Sequence, residues 1–133
     1  MAEVGFFCPM AKPPTATGAN GKRVSRSGAV YDSEALSSAR YSLMSRIAPH
    51  SPSERLTGAL SVEVRWLYPV RGSHAPGEPY AQKPDVDNAC KLVLDCLQRA
   101  AFFADDKQVA ELHAVQAYAE VPGLYVRVKQ IMA

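Results

Sequence analysis

The sequence predicts an α+β fold. It reads as one small domain with element order β-α-β-α-β-β, two helices and a mixed, mostly antiparallel sheet. Three observations carry this. Residues 60–68 alternate cleanly, with Leu60, Val62, Val64, Trp66 and Tyr68 on one side and Ser61, Glu63, Arg65 and Leu67 on the other. That is the two-residue period of a half-buried strand. Val86, Ala89, Cys90, Val93, Leu94, Leu97 and Ala101 recur at helical spacing and mark one apolar stripe. A chain of 133 residues fits one domain, at roughly 100–200 residues per domain, so residues 1–133 form a single unit.

The other elements follow in order. Residues 3–8 (EVGFFC) are apolar and aromatic enough for a short buried strand. Residues 9–30 are rich in Pro, Gly, Ser and Thr without an apolar period, which predicts a long, mobile, basic loop. Structureless loops of about 20 residues in small domains are usually functional. A helix begins at the N-cap residue Ser33, carries Leu36, Ala39, Leu43 and Ile47 on one stripe, and stops at Pro49. Arg40 and Arg46 lie off that stripe. Residues 69–84 form a second Pro- and Gly-rich loop, and the strong helix follows with Lys91, Asp95 and Arg99 on its polar side. Residues 109–120 read as a strand because Val121-Pro122-Gly123 has the residue order of a type II turn. Leu124, Val126 and Val128 alternate with Tyr125, Arg127 and Lys129 in a closing strand. Phe6, Phe7, Trp66 and the strand tyrosines are expected in the core. No internal repeat is visible.

Composition excludes several classes. Apolar residues are 47% and charged residues 21% of the chain, close to globular averages, which excludes wholesale disorder. No apolar run approaches the ~18–20 residues of a membrane span. The first residues lack the basic start and long apolar stretch of a secretory signal. Cys8, Cys90 and Cys96 cannot all pair and show no metal-ligand spacing, so reduced thiols and a cytoplasmic location are expected. The net charge of +2 does not single out nucleic acid. Its distribution is more informative: residues 1–58 hold seven Lys and Arg against four acids, whereas residues 83–111 hold six acids against four bases.

The acids fall in two boxes, Asp85-Val86-Asp87-Asn88 at the start of the second helix and Asp105-Asp106-Lys107 beyond its end. Each has a plain structural reading. Asp85 or Asp87 can be an N-cap, Asp105-Asp106 can be a turn, and Lys91 can pair with Asp87 or Asp95 one turn away. Only one residue can be the cap, however, and one acid suffices for a turn. If the chain after the helix returns alongside it, Asp106 approaches Asp85 and Asp87. An all-oxygen carboxylate cluster suits magnesium or manganese, with substrate phosphate completing the shell. Lys91 faces the same site, which gives the residue set of metal-assisted phosphodiester hydrolysis.

Lys83-Pro84-Asp85-Val86-Asp87-Asn88, then Lys91, Leu94, Asp95 and Leu97, then Phe103-Ala104-Asp105-Asp106-Lys107-Gln108-Val109 resembles the RusA-type Holliday junction resolvase family. The family pattern is a D-x-D-N box, a Lys three residues past the Asn, a Leu-Asp pair, and a D-D-x-Q-[VI] box about twenty residues on. Residues 83–109 carry the specific part, and a Tyr before the first helix (Tyr31) and a closing strand pair match more loosely. Ala89-Cys90 stand where the family often has a large aliphatic residue, and Lys12-Pro13-Pro14 is less basic than the family's N-terminal loop.

The resemblance implies a homodimeric, magnesium-dependent endonuclease that resolves four-way DNA junctions by paired symmetrical incisions, with manganese able to substitute. It implies Asp85, Asp87 and Asp106 as metal ligands and Lys91 as the essential lysine, with Asp105 a weaker candidate. No nucleotide cofactor and no membrane partner are expected. Lys12, Lys22, Arg23, Arg26 and Arg40 are candidates for phosphate-backbone contacts, and His113 reads as a surface strand residue. The rival expectations are a non-catalytic binder of branched DNA with the same fold and a plain metal-binding module. The second lacks the glycine of a calcium loop after Asp87-Asn88.

Overall fold

A computed structural model describes residues 2–15, 22–28 and 30–131, with backbone only at 22, 23 and 30–32. Its centre is a four-stranded sheet in the order β1-β6-β4-β5. These strands are β1 (Glu3–Pro9), β4 (Leu60–Pro69), β5 (Val109–Ala119) and β6 (Gly123–Gln130). β1 pairs with β6 and β6 with β4 antiparallel, while β4 and β5 run parallel. Parallel neighbours need a crossover, and here it is helix α2 (Val86–Arg99). The element order and mostly antiparallel sheet are those expected.

The strictest alternation becomes the central strand. Leu60, Val62, Val64, Trp66 and Tyr68 of β4 are all buried, and the residues between them are half-buried. Their buried face meets α1 (Glu34–Ile47) and α2, which pack on each other. Ser33 caps α1 as expected, its Oγ accepting from the Leu36 N–H at 3.1 Å. Leu36, Ala39, Leu43 and Ile47 are the buried residues of that helix. On α2 the stripe is wider than its spacing indicates. Leu92 and Cys96 join Ala89, Cys90, Val93 and Leu97 inside, whereas Val86 is 40% exposed. Ala101, expected as a helical position, lies beyond the helix end with φ of 64° and turns the chain so that Phe102 and Phe103 enter the core. The three cysteines are free and buried. Burial pushes the Cys90 thiol up to about 11 and Cys96 up to about 12.

Two loop expectations are corrected. The stretch 9–30 includes strand β2 (Lys22–Val24), which pairs antiparallel with β3 (Val30–Asp32) at and beyond its end. Three-residue strands are too short to leave a period in the sequence. The second correction concerns Val121-Pro122-Gly123. β4 lies between β5 and β6, so this segment crosses over a strand rather than closing a hairpin. Gly123 has φ of 155°, far from the type II value, and pairs with Pro9 across β1. A Cβ there would sit 2.2 Å from the Cys8 carbonyl oxygen. Gly123→Ala is therefore expected to lower stability by about 1–3 kcal/mol, seen as a lower urea midpoint with unchanged slope. Among the described residues, no helix is long and apolar enough to cross a membrane.

Candidate active site

The start of α2 is fixed from three sides. The Trp66 indole N–H donates to the Ala89 carbonyl at 3.2 Å. Gln116 on β5 donates to the Pro84 carbonyl at 3.1 Å and to the Tyr68 hydroxyl at 3.0 Å. The Tyr80 hydroxyl donates to the Lys83 carbonyl at 2.6 Å. The backbone that carries Asp85 is thereby held by the sheet and the preceding loop, as a site for positioned chemistry requires.

Asp85 occupies the N-cap position with extended dihedrals, but its carboxylate makes no capping hydrogen bond. It accepts from the Asn88 side-chain amide at 3.3 Å instead. Capping therefore leaves the Asp85 side chain unexplained. Asp87 lies in the first turn and is exposed, with no hydrogen bond or ion pair among the described residues. Its charge favours the helix N-terminus, which is its one structural role. Lys91 is exposed one turn on, also without an ion-pair partner among the described residues. The Asp95 carboxylate, one turn from Lys91, is taken by arginines. Asp95 Oδ2 lies 2.9 Å from Arg99 Nε and 3.3 Å from Arg40 Nε.

The second acidic box divides into two roles. Asp105 caps a short 3-10 turn, accepting from the Lys107 N–H at 2.9 Å. Gln108 closes the capping box: its Oε1 accepts from the Ala104 and Asp105 N–H groups at 3.0 and 3.1 Å. Its Nε2 donates to the Leu56 and Gly58 carbonyls at 3.3 and 3.1 Å. Gln108→Ala leaves four backbone groups without this partner and is expected to cost about 2 kcal/mol, read as a lower melting temperature. Asp106 gives its backbone N–H to Gln98 at 3.0 Å, while its exposed carboxylate has no partner among the described residues.

Asp106 does not approach Asp85 and Asp87 within one chain. The reason is topological. Parallel pairing sets the start of β5 beside the start of β4, with Val109 opposite Leu60, whereas Asp85 and Asp87 follow the far end of β4. Gln98, which holds Asp106, lies about 16 Å along the helix from Asp87 at 1.5 Å per residue. It lies on the same helix face as Asp87 and Lys91. The three residues form a row. Among the described residues, no group of three or more His, Cys, Asp or Glu is placed to hold a metal ion.

Both boxes lie within the stretch of the chain that matches a known family. The model of the family described as Endodeoxyribonuclease RusA matches residues 11–129. The chain belongs to the RusA endodeoxyribonuclease family. It is also similar to Uncharacterized protein YqaN of Bacillus subtilis (strain 168), with 30% identity over 95 residues, 63% of this chain. The chain spans 66% of that relative's length.

For this RusA-family chain the donor chemistry suits magnesium, which binds through one or two carboxylates and takes the rest of its shell from water and substrate phosphate. Asp85, which accepts only from Asn88, and Asp87, which has no hydrogen bond or ion pair among the described residues, have the chemistry of two such donors. The third expected ligand, Asp106, is not beside them. Of the expected DNA contacts, Lys12 and Arg26 are exposed, and the side chains of Lys22 and Arg23, like that of Tyr31, lie outside the described residues. Arg40 faces α2 and is engaged with Asp95. His113 is a surface residue of β5, 3.9 Å from Glu63. Sequence reading misses Gln98 and Gln116, whose roles arise only from tertiary packing. Gln108 was visible in its box, but as a motif letter rather than a lock.

Proposed function

We propose that this chain is a magnesium-dependent endonuclease that resolves four-way DNA junctions by paired symmetrical incisions. The observation that carries the reading is the start of α2. A carboxylate that makes no capping bond and accepts only from Asn88, and a second carboxylate and a lysine both unpaired among the described residues, are presented on backbone pinned by Trp66, Gln116 and Tyr80. Asp85 and Asp87 hold the metal. When bound, magnesium polarises the scissile phosphate and lowers the pKa of an attacking water. Lys91 balances charge that develops on the phosphate oxygens in the transition state. Lys12 and Arg26, together with Lys22 and Arg23, supply sequence-independent phosphate contacts.

The working unit is a two-fold homodimer. Two matched incisions need two identical sites on a substrate that is itself two-fold symmetric. The distance of Asp106 from Asp85 supports a site built by both chains. Antiparallel packing of the exposed α2 face against its copy sets Asp85 and Asp87 beside Asp106 of the partner subunit. The alternative is a branched-DNA binder without cleavage, favoured by the lack of a three-carboxylate group among the described residues of one chain. A synthetic four-way junction with each strand labelled in turn, incubated with and without magnesium, separates the two. Incision of two opposed strands that requires the metal supports the resolvase; retention of the junction in a gel shift without any incision supports the binder.

A further inference from the structure

We infer that the cleft at the ends of β4 and β5 binds an unpaired DNA nucleotide, its base on an aromatic wall and its phosphate on Lys12 and Arg71. This rests on the endonuclease reading and deepens it. The cleft holds about 950 Å³, within the roughly 300–1,000 Å³ of small-ligand sites. It lies where β4 and β5 end. Tyr68 and Tyr118 are its buried floor. Tyr80 stacks on Tyr68 with centroids 3.8 Å apart, and His74 stacks on Tyr118 at 4.3 Å. Tyr80 also meets Tyr118 edge-on at 5.2 Å. Tyr80 and His74 are half-buried and line the opening.

Packing the 69–84 loop onto the sheet explains the rings but not the charges beside them. Lys12 and Arg71 line the same cleft, are exposed, and have no ion pair among the described residues. The nearby Glu78 is occupied by His74 Nδ1 at 2.9 Å. Aromatic faces next to unpaired cations are the chemistry of single-stranded nucleic acid recognition, since every base offers a π-face and every link a phosphate. The cleft is also tied by hydrogen bonds to the backbone that leads into Asp85. Tyr80, which lines it, donates to the Lys83 carbonyl, and Gln116, which donates to the lining Tyr68 hydroxyl, also donates to the Pro84 carbonyl directly before Asp85. A nucleotide in the cleft therefore rests on the same residues that fix the segment leading into Asp85 and Asp87. Intact duplex must break a base pair to fill the cleft, whereas a branch point offers an unstacked nucleotide at less cost. The cleft thus favours branched over linear duplex DNA.

The test is fluorescence anisotropy of the full chain with labelled oligothymidylate and with a matched duplex, in EDTA. His74→Ala is expected to weaken oligothymidylate binding about tenfold, the loss of one stacked ring, and duplex binding less than about twofold. His74→Phe keeps the ring and is expected to bind the single strand as the parent does. Arg71→Ala, a surface change that leaves the core intact, is expected to weaken the single strand and flatten its salt dependence. Unchanged single-strand affinity in both alanine variants, or equal losses for single strand and duplex, overturns the inference. No metal and no cleavage enter this measurement, so its failure leaves the endonuclease reading standing. Failure to cut a junction likewise leaves the binding result intact.

Discussion

Asp87→Asn is expected to abolish junction cleavage, by roughly 10³-fold or more, while junction binding holds or tightens. Asp87 has no hydrogen-bond or ion-pair role among the described residues, so its removal breaks no contact of the fold. What the fold loses is a first-turn negative charge, about 0.3–1 kcal/mol of helix-dipole interaction. What the site loses is one of the two carboxylates that each chain's α2 start is proposed to give the metal. The substitution also removes a negative charge that repels DNA phosphate, and affinity resides in the basic segments. Gel shift and cleavage run side by side on one junction decide it. Binding and cutting that fall in proportion would assign Asp87 to structure alone.

Lys91→Ala is expected to cost cleavage about 10²–10³-fold, on the scale of removing a donor from a developing charge, with stability within about 0.5 kcal/mol of the parent. Among the described residues Lys91 has no ion pair to lose, since Asp95 is held by Arg40 and Arg99. Lys91→Arg keeps the charge but replaces a compact ammonium with a planar fork, and is expected to restore only part of the rate. Single-turnover cleavage beside a urea melt reads both effects. An unchanged rate with a shifted midpoint would place Lys91 on the helix surface and outside the chemistry.

Much of the fold is legible in local pattern. β4 alternates because one face is core, and Ser33 and Pro49 bracket α1 because caps and breakers act within a few residues. What fails is whatever depends on distant partners. The β2–β3 hairpin is too short for a period, and Val121-Pro122-Gly123 has the letters of a turn that the strand order forbids. The acidic boxes are legible as chemistry but not as geometry. Spacing places Asp106 nineteen residues after Asp87. It cannot say that a parallel β4-α2-β5 unit sends the second box to the opposite end of the sheet. Gln116 and Tyr80, which fix Asp85, carry no sequence signal, because a lone Gln on a strand and a Tyr in a Pro-rich loop are ordinary residues.

The composite site is tested most directly with mixed dimers. A chain with Asp87→Asn and a differently tagged chain with Asp106→Asn are co-expressed, and the heterodimer is isolated by both tags. Each variant homodimer is expected to leave a labelled four-way junction uncut. If each site joins Asp85 and Asp87 of one chain with Asp106 of the partner subunit, the heterodimer carries both substitutions in one site and none in the other. It should then nick one strand per junction at the position where the unsubstituted dimer cuts two. A heterodimer as inert as its parents, beside an unsubstituted dimer that cuts, would contradict the shared site and place all of the catalytic carboxylates within a single chain.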